Sequence, residues 1–526
     1  MANHEKVDAL IVGAGPSGLM MAARLAAAGR KVVVLELGPP WEPEDLVSSQ
    51  IWSRRLKWWG ANQLEGRNPV AHNFNSGWGV GGAVIHQYAN WARLHEEDFA
   101  VRSRFGVGLD WPFGYDELRP WYDRIQAEVG VSGDHRQEVW RPPGDPYPMG
   151  PVKVFPHAQR AAEGFAKLGI RTAPAPVAVN SEPFKGRPAC VYDAWCDAGC
   201  PIGALVNTFV TYLPEAKRHG ADIRPYSNVL RVLTNDKGDR ATAVEYVDTR
   251  TKERHVQHAD VVILAAFTSQ NPRLMLNSAN AKHPQGLSNS NGLVGRYIMT
   301  HLGASAFGIM DEDVQNHMGL SAAQLISQDG YAKSADKGFI GSYTWMIGAA
   351  NKPNDFTGLA NTNVPLFGNA LHDYMQKARR GLVKIAAVME ALPNAENRIT
   401  LSADRRDEYG MPIARIVHSL DDHALKLFNH AREEGLRVMK ATKAREVWSP
   451  PGPPALLHFT GGTPMGRSAA DSVTDGYGRA HEMANLFITG AGLYPTEGAV
   501  HPTFTLHALT ARSADHLVRH WGSIVA

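Results

Sequence analysis

Two histidines and three cysteines mark where this chain could do chemistry. His458 lies in LHFTGGT (457–463) and His501 in GAVHPT (498–503). Most of the 22 histidines are expected at the surface or in structural roles, but these two sit at turns beside glycine-rich backbone. An imidazole titrates near neutral pH, so it can take a proton at working pH. All three cysteines fall between Cys190 and Cys200, in a C-x5-C-x3-C pattern with Pro201 after the last. Thiolates this close must bind something or be protected. Structural zinc usually takes four ligands, and no fourth is obvious nearby. Iron–sulfur clusters are held by Cys thiolates, and a Cys-Pro end is familiar there. Cys190, Cys196 and Cys200 suit a three-iron cluster; a four-iron cluster would need a further ligand such as Asp193 or Asp197. Three buried thiols packing as small apolar groups are the bland alternative.

The elements that would position these groups begin near the N-terminus. Residues 7–38 read VDALIVGAGPSGLMMAARLAAAGRKVVVLELG. A strand-like run (Ala9 to Val12) leads into Gly13, Gly15 and Gly18 in GxGxxG spacing. An Ala/Leu-rich helix runs to Ala28 and stops at Gly29. A second strand, Lys31 to Leu35, ends on Glu36. This is one βαβ unit with a dinucleotide fingerprint. Gly13 permits the tight turn, Gly15 admits a pyrophosphate, and Gly18 lets helix and strand pack closely. Glu36 is placed to accept hydrogen bonds from ribose hydroxyls. The motif alone does not separate FAD from NAD.

A polar, Trp-rich loop region extends to about Ser76. Gly79, Gly81 and Gly82 then crowd a second turn, where bare backbone can lie against a flat ring or a phosphate. Tyr115 to Val131 reads as a surface helix. Pro-rich segments from Pro142 to Pro156 suit a domain crossing. Ala221 to Tyr246 predicts strands with a hairpin turn at Asp236-Lys237-Gly238, and Ala259 to Ala265 a buried strand followed by a helix-like run, Asn271 to Leu276. Residues 302–450 have a different texture and are assigned mostly to a second, substrate-covering domain. Asn485 to Thr489 predicts a strand ending at Gly490 and Gly492. His501-Pro502-Thr503 opens a helix to about Val518, which Thr503 or Thr505 can cap.

Lys+Arg is 54 and Asp+Glu is 52, so no basic stripe suggests nucleic acid. No apolar run is long enough to span a bilayer. The first strand starts near Val7 with no cleavable signal before it, so the chain is expected to fold in the cytoplasm. Three clustered cysteines make no disulfide framework.

Together, GAGPSG, GVGGAVIH (79–86), NLFITGAG (485–492) and GAVHPTFTLHAL (498–509) resemble the glucose–methanol–choline (GMC) flavoprotein oxidoreductases over nearly the whole chain. The cysteine block, with VGRYIMTH (294–301) and HFTGGTPMG (458–466), is similar to the large subunits of bacterial FAD/3Fe–4S sugar and polyol dehydrogenases. The resemblance implies an α/β fold: a Rossmann-like FAD-binding domain with a second α+β substrate-binding domain, as in p-hydroxybenzoate hydroxylase. Expected boundaries are 1–130, FAD-binding; 131–180, a substrate-domain segment and crossover; 181–300, FAD-binding with the cysteine block; 301–450, substrate-binding; and 451–526, the C-terminal FAD-binding part with both active-site histidines.

The resemblance further implies FAD contacts from Gly13, Gly15, Gly18, Glu36, Gly79, Gly81, Gly82, His86, Gly490, Ala491, Pro502 and Thr503. It implies a 3Fe–4S cluster on Cys190, Cys196 and Cys200. His458 would act as general base on a sugar-like hydroxyl and His501 would hold the same oxygen. Hydride would pass to the flavin, and electrons through the cluster to a haem protein or other acceptor. A small partner subunit is implied, so the chain would be either cytoplasmic or periplasmic and membrane-associated through a co-exported partner. Two alternatives are an oxygen-using sugar or glycoside oxidase of the same family and a non-redox flavin-bound lyase. Three departures bear on this. The sugar dehydrogenases compared typically have asparagine where this chain has His501. Thr268 and Asn271 replace an expected glycine and threonine. No Ser/Thr follows the glycine pair in GGAVIH, and His86 stands where pyranose oxidases attach flavin covalently, though other members have an unattached histidine there.

Overall fold

The structure is a computed structural model and describes residues 2–71, 76–360, 362 and 366–526. Residues 72–75 of the expected Trp-rich loop lie outside that set. The first strand, Ala2–Val12, is apolar at Ala9 to Val12 because it is covered on both faces. It pairs in parallel with Val32–Leu35 on one side and with Arg254–Leu264 on the other. Asp222–Arg224 extends the first edge. Along Arg254–Leu264 the outer neighbour changes. Its first half pairs antiparallel with Ala241–Asp248, which continues to Ser227–Thr234. Its last residues pair in parallel with Leu486–Ile488. The C-terminal ends of these central strands therefore meet the glycine loop and Gly490 at one crevice, where nucleotides sit in such sheets.

The expected hairpin forms, with Gly238 left-handed at φ 81° and bonded to Asn235. Tyr115–Val129 is the expected helix, but it is not only a surface element. Leu118, Tyr122, Ile125 and Val129 are buried on a face packed against the C-terminal helix Pro502–Arg519. The helix Pro502–Arg519 starts on His501 with Pro502 in its first turn, a position where the missing N–H costs nothing. The expected Thr505 cap does not form; its hydroxyl bonds Tyr122 Oη at 2.6 Å.

A second sheet is antiparallel. Its order runs Glu446–Trp448, Met299–Ile309, Leu382–Met389, Tyr343–Ile347, Leu325–Ser327, Ala173–Pro174. The long helix Asp422–Ala441 covers it through Leu427, Phe428, Ala431, Val438 and Met439. Ala455–Thr460 also pairs with Met299–Ile309. His458, grouped by sequence with the nucleotide-binding C-terminal part, thus rides on this second sheet. A three-stranded sheet joins Asn62–Glu65 to Pro412–Val417 and Arg398–Arg406.

Candidate active site

A cleft of ≈ 310 Å³ opens at the crevice of the first sheet. Gly13, Gly15, Glu36, Gly79, Gly82, Gly490, Ala491, Pro502 and Thr503, all among the expected FAD contacts, line it. At Gly15 a Cβ would meet no protein atom within 4 Å, while at Gly82 it would stand 2.6 Å from Gly15 Cα. The two glycine turns are therefore pressed together with the cleft side left open, as an approaching pyrophosphate needs. Gly18 acts inside the protein: a Cβ there would strike the Gly13 carbonyl at 1.9 Å. Gly81 also faces inward, against Ile85 and Phe209.

Glu36 does more than wait for a ribose. Its buried carboxylate accepts backbone N–H bonds from Ala14 (2.8 Å), Gly38 (2.9 Å) and Gly79 (3.0 Å). An ionised carboxylate offers about four acceptor positions. Three are spent tying both glycine turns together, which leaves room for one more donor from the cleft. Thr268 lines the cleft and bonds the Phe459 carbonyl at 2.8 Å. Asn271 lies behind the wall, accepting from Ala266 N at 2.8 Å. Trp58, Ser76, Phe267, Gln270, Arg273 and Met411 also line the cleft, without a motif to announce them.

His86 is not a lining residue. It is buried, with Nδ1 2.9 Å from Lys57 Nζ. Lysine only donates, so this Nδ1 accepts and the ring is neutral. Burial draws the Lys57 ammonium down to about 8. The covalent-flavin position is thus turned toward Lys57.

His458 lines the cleft from the second sheet. Its strand is irregular between Leu457 and Thr460, and His458 takes φ 37°, a left-handed value unusual for a residue with a Cβ. Such a bulge re-aims one side chain and stores roughly 1–3 kcal/mol of strain. The ring centroid of His501 lies 4.8 Å away at 73°. On the other side stands His301, with its centroid at 5.0 Å and its Nδ1 3.2 Å from Nδ1 of His458. Burial lowers the pKa of all three, to about 4 for His501, about 3 for His301, and well below the usual range for His458. Beside His301 lies Glu497, whose carboxyl burial pushes well upward. His301 and Glu497 were missed from sequence. VGRYIMTH and YPTEGAVH hold them in view, but nothing local says that they meet.

The cysteine block lies in a loop with Cys196 buried and Cys190 and Cys200 partly so. Tyr192 N donates to Cys190 Sγ (3.3 Å) and Leu205 N to Cys200 Sγ (3.5 Å). Burial raises the thiols of Cys190 to about 11 and Cys196 to about 12, and each lies in the field of Cys200. Asp197 pairs with Lys352 at 3.2 Å and Asp193 accepts from Trp195 N, so both candidate extra ligands are engaged. Among the described residues no three His, Cys, Asp or Glu side chains are grouped to hold a metal ion, so the three cysteines do not form a ready-made zinc or cluster site. The turn carrying Cys196 packs against the turn Gly82–His86 that walls the cleft.

The chain matches the GMC oxidoreductase family over residues 7–303 and again over 393–510. It is 30% identical to 2-methyl-1,2-propanediol dehydrogenase of Mycolicibacterium austroafricanum, across 99% of this chain and 97% of that protein. It is also 30% identical to the fructose dehydrogenase large subunit of Gluconobacter japonicus, across 97% of each. Among solved structures, pyridoxine 4-oxidase from Mesorbium loti superposes with TM-score 0.62 at 17% identity, covering 98% of this chain and 99% of that one. With its glycine-walled FAD cleft and paired histidines, the chain belongs to the GMC oxidoreductases, which act on hydroxyl groups of their substrates.

Proposed function

We propose that this enzyme is an FAD-dependent dehydrogenase oxidising a secondary or primary hydroxyl of a sugar, polyol, sugar acid, glycoside or small diol. The observation that carries it is the His458–His501 ring pair, 4.8 Å apart and both neutral by burial, with His458 on the cleft wall. An alcohol is a poor hydride donor until its hydroxyl loses a proton. His458 accepts that proton, a step typically worth about 10²–10⁴-fold. His501, neutral, keeps one N–H and can hold the substrate oxygen as a donor. Asparagine can do the same, which accounts for its use at this position in the sugar dehydrogenases that the sequence resembles. Bound FAD supplies the hydride acceptor, held by the glycine turns and Glu36.

Cys190, Cys196 and Cys200 would hold a 3Fe–4S cluster, which supplies one-electron transfer toward an external acceptor. The relative named as a large subunit supports a small partner subunit for this chain. Among the described residues no helix is long and apolar enough to cross a membrane. From the resemblance we propose that the enzyme works either in the cytoplasm or at the membrane through that partner. The test is anaerobic flavin bleaching against D-fructose, D-gluconate, sorbitol, alkyl glycosides and 2-methyl-1,2-propanediol. One panel member should bleach the flavin. Flavin that stays oxidised throughout would overturn the assignment, and hydrogen peroxide formed stoichiometrically in air would make the enzyme an oxidase.

A further inference from the structure

Two hydrogen bonds decide where the protons sit behind His458. His301 Nε2 lies 2.9 Å from the Gly498 carbonyl oxygen. A carbonyl can only accept, so Nε2 carries the proton. His301 is fully buried and neutral, so it has one ring proton and Nδ1 is bare. That bare Nδ1 faces Nδ1 of His458 at 3.2 Å. Two lone pairs cannot share that distance, so the proton between them belongs to His458. The proton of neutral His458 is then on Nδ1, and its Nε2 keeps the lone pair.

Glu497 protects this arrangement. Its Oε2 stands 3.5 Å from His301 Nδ1 and accepts from Thr460 Oγ1 at 2.8 Å; its Oε1 takes Ala391 N at 3.2 Å. Burial pushes its pKa well upward, which favours the acid form. In that form it presents no negative charge that would draw a second proton onto His301. The strand register puts these groups together. Leu457 pairs with His301, and the bulge swings the next residue beside the His301 ring.

We propose that His301 is the positioning residue of proton transfer: anchored on the Gly498 carbonyl, it fixes His458 as the Nδ1–H tautomer and presents Nε2 as the base. This rests on the reading of His458 as the proton acceptor. When Nε2 takes the alcohol proton, the Nδ1–H bond to His301 remains and its polarised chain spreads the new charge toward Gly498. A neutral imidazole thus does here what a carboxylate does behind the histidine of a serine-protease triad.

The test compares holoenzymes of wild type, His301→Gln, His301→Leu and His458→Ala. Glutamine keeps both bonds, with its amide N–H on Gly498 and its oxygen facing His458; leucine keeps neither. Anaerobic stopped-flow with the best reductant of the panel above should show His301→Leu slowed at least about tenfold, part of the general-base contribution, with substrate affinity unchanged. His301→Gln should stay within roughly threefold of wild type. Nitrogen-15 NMR of histidine-labelled holoenzyme, assigned by subtraction of the His458→Ala spectrum, reads the tautomer without any substrate. It should give a protonated Nδ1 and a bare Nε2 at His458, and mixed tautomers in His301→Leu. A proton on Nε2 of His458 in the wild type, or equal losses in the Leu and Gln variants, overturns the proposal. If His458→Ala bleaches at the wild-type rate, the base assignment itself fails. If it does not, and His301→Leu matches wild type, only the positioning role fails.

Discussion

The histidine constellation and the cysteine block are built in opposite ways. The cysteines come from one loop, and short-range chain geometry alone brings them near one another. The histidines come from three distant segments, at 301, 458 and 501, on two neighbouring strands of one sheet and a helix start. Neighbours in sequence can be read as a motif. Neighbours across a sheet depend on register, and a one-residue slip would turn His458 to the other face. The two regions also differ in what they ask of their surroundings. The histidines are kept neutral by burial and aimed by a strained bulge. The thiols are buried or partly so, and backbone N–H groups point at two of the sulfurs. The turn Cys196–Ala198 packs against the turn Gly82–His86, whose glycine lines the cleft.

The strongest way to break this division is His458→Ala. Flavin bleaching by substrate should fall by roughly 10²–10⁴-fold while FAD stays bound. Retention of more than about a tenth of the wild-type rate would remove the general base from the account. Next comes Cys196→Ser, which should leave bleaching by substrate intact and lower iron, acid-labile sulfide and acceptor reduction together. Full transfer to a haem acceptor from an anaerobic preparation without iron would show that the cysteine region plays no electron-transfer part. His501→Asn is a smaller change because an N–H donor survives. Its bleaching rate should stay within about tenfold of wild type; a loss as deep as that of His458→Ala would make the two histidines equal partners.

The smallest effect is on stability. Burial holds His301 near 3 and both His501 and His507 near 4, below the unfolded value of about 6.5. Below pH 6.5 the unfolded chain therefore binds more protons than the folded one, and stability falls as pH drops. Each such histidine removes about 1.4 kcal/mol per pH unit in that window until its folded pKa is reached. Thermal unfolding at pH 7, 6 and 5 should show Tm declining with pH. A Tm that holds or rises to pH 5 would mean that the raised carboxyls Glu138, Glu390 and Glu497, which act in the opposite sense, outweigh the histidines.

Much of the nucleotide cleft was legible because its signals are local. GxGxxG spacing, a strand before it and an acid after it belong to one short unit whose turn geometry admits little besides glycine. The hairpin at Gly238 and the helix opened by Pro502 were legible for the same reason. The tertiary structure decided the rest. It made Glu36 a clamp on Ala14, Gly38 and Gly79, since the second glycine turn arrives from elsewhere in the chain. It turned His86 to Lys57 and away from the cleft wall. Above all it set Leu457 opposite His301 and put a bulge one residue later. Sequence by itself marked His458 and His501 as reactive side chains beside bare backbone. Which nitrogen of His458 is the base follows from a strand pairing and a carbonyl at Gly498, and non-local hydrogen bonds of that kind leave no period or spacing in a sequence.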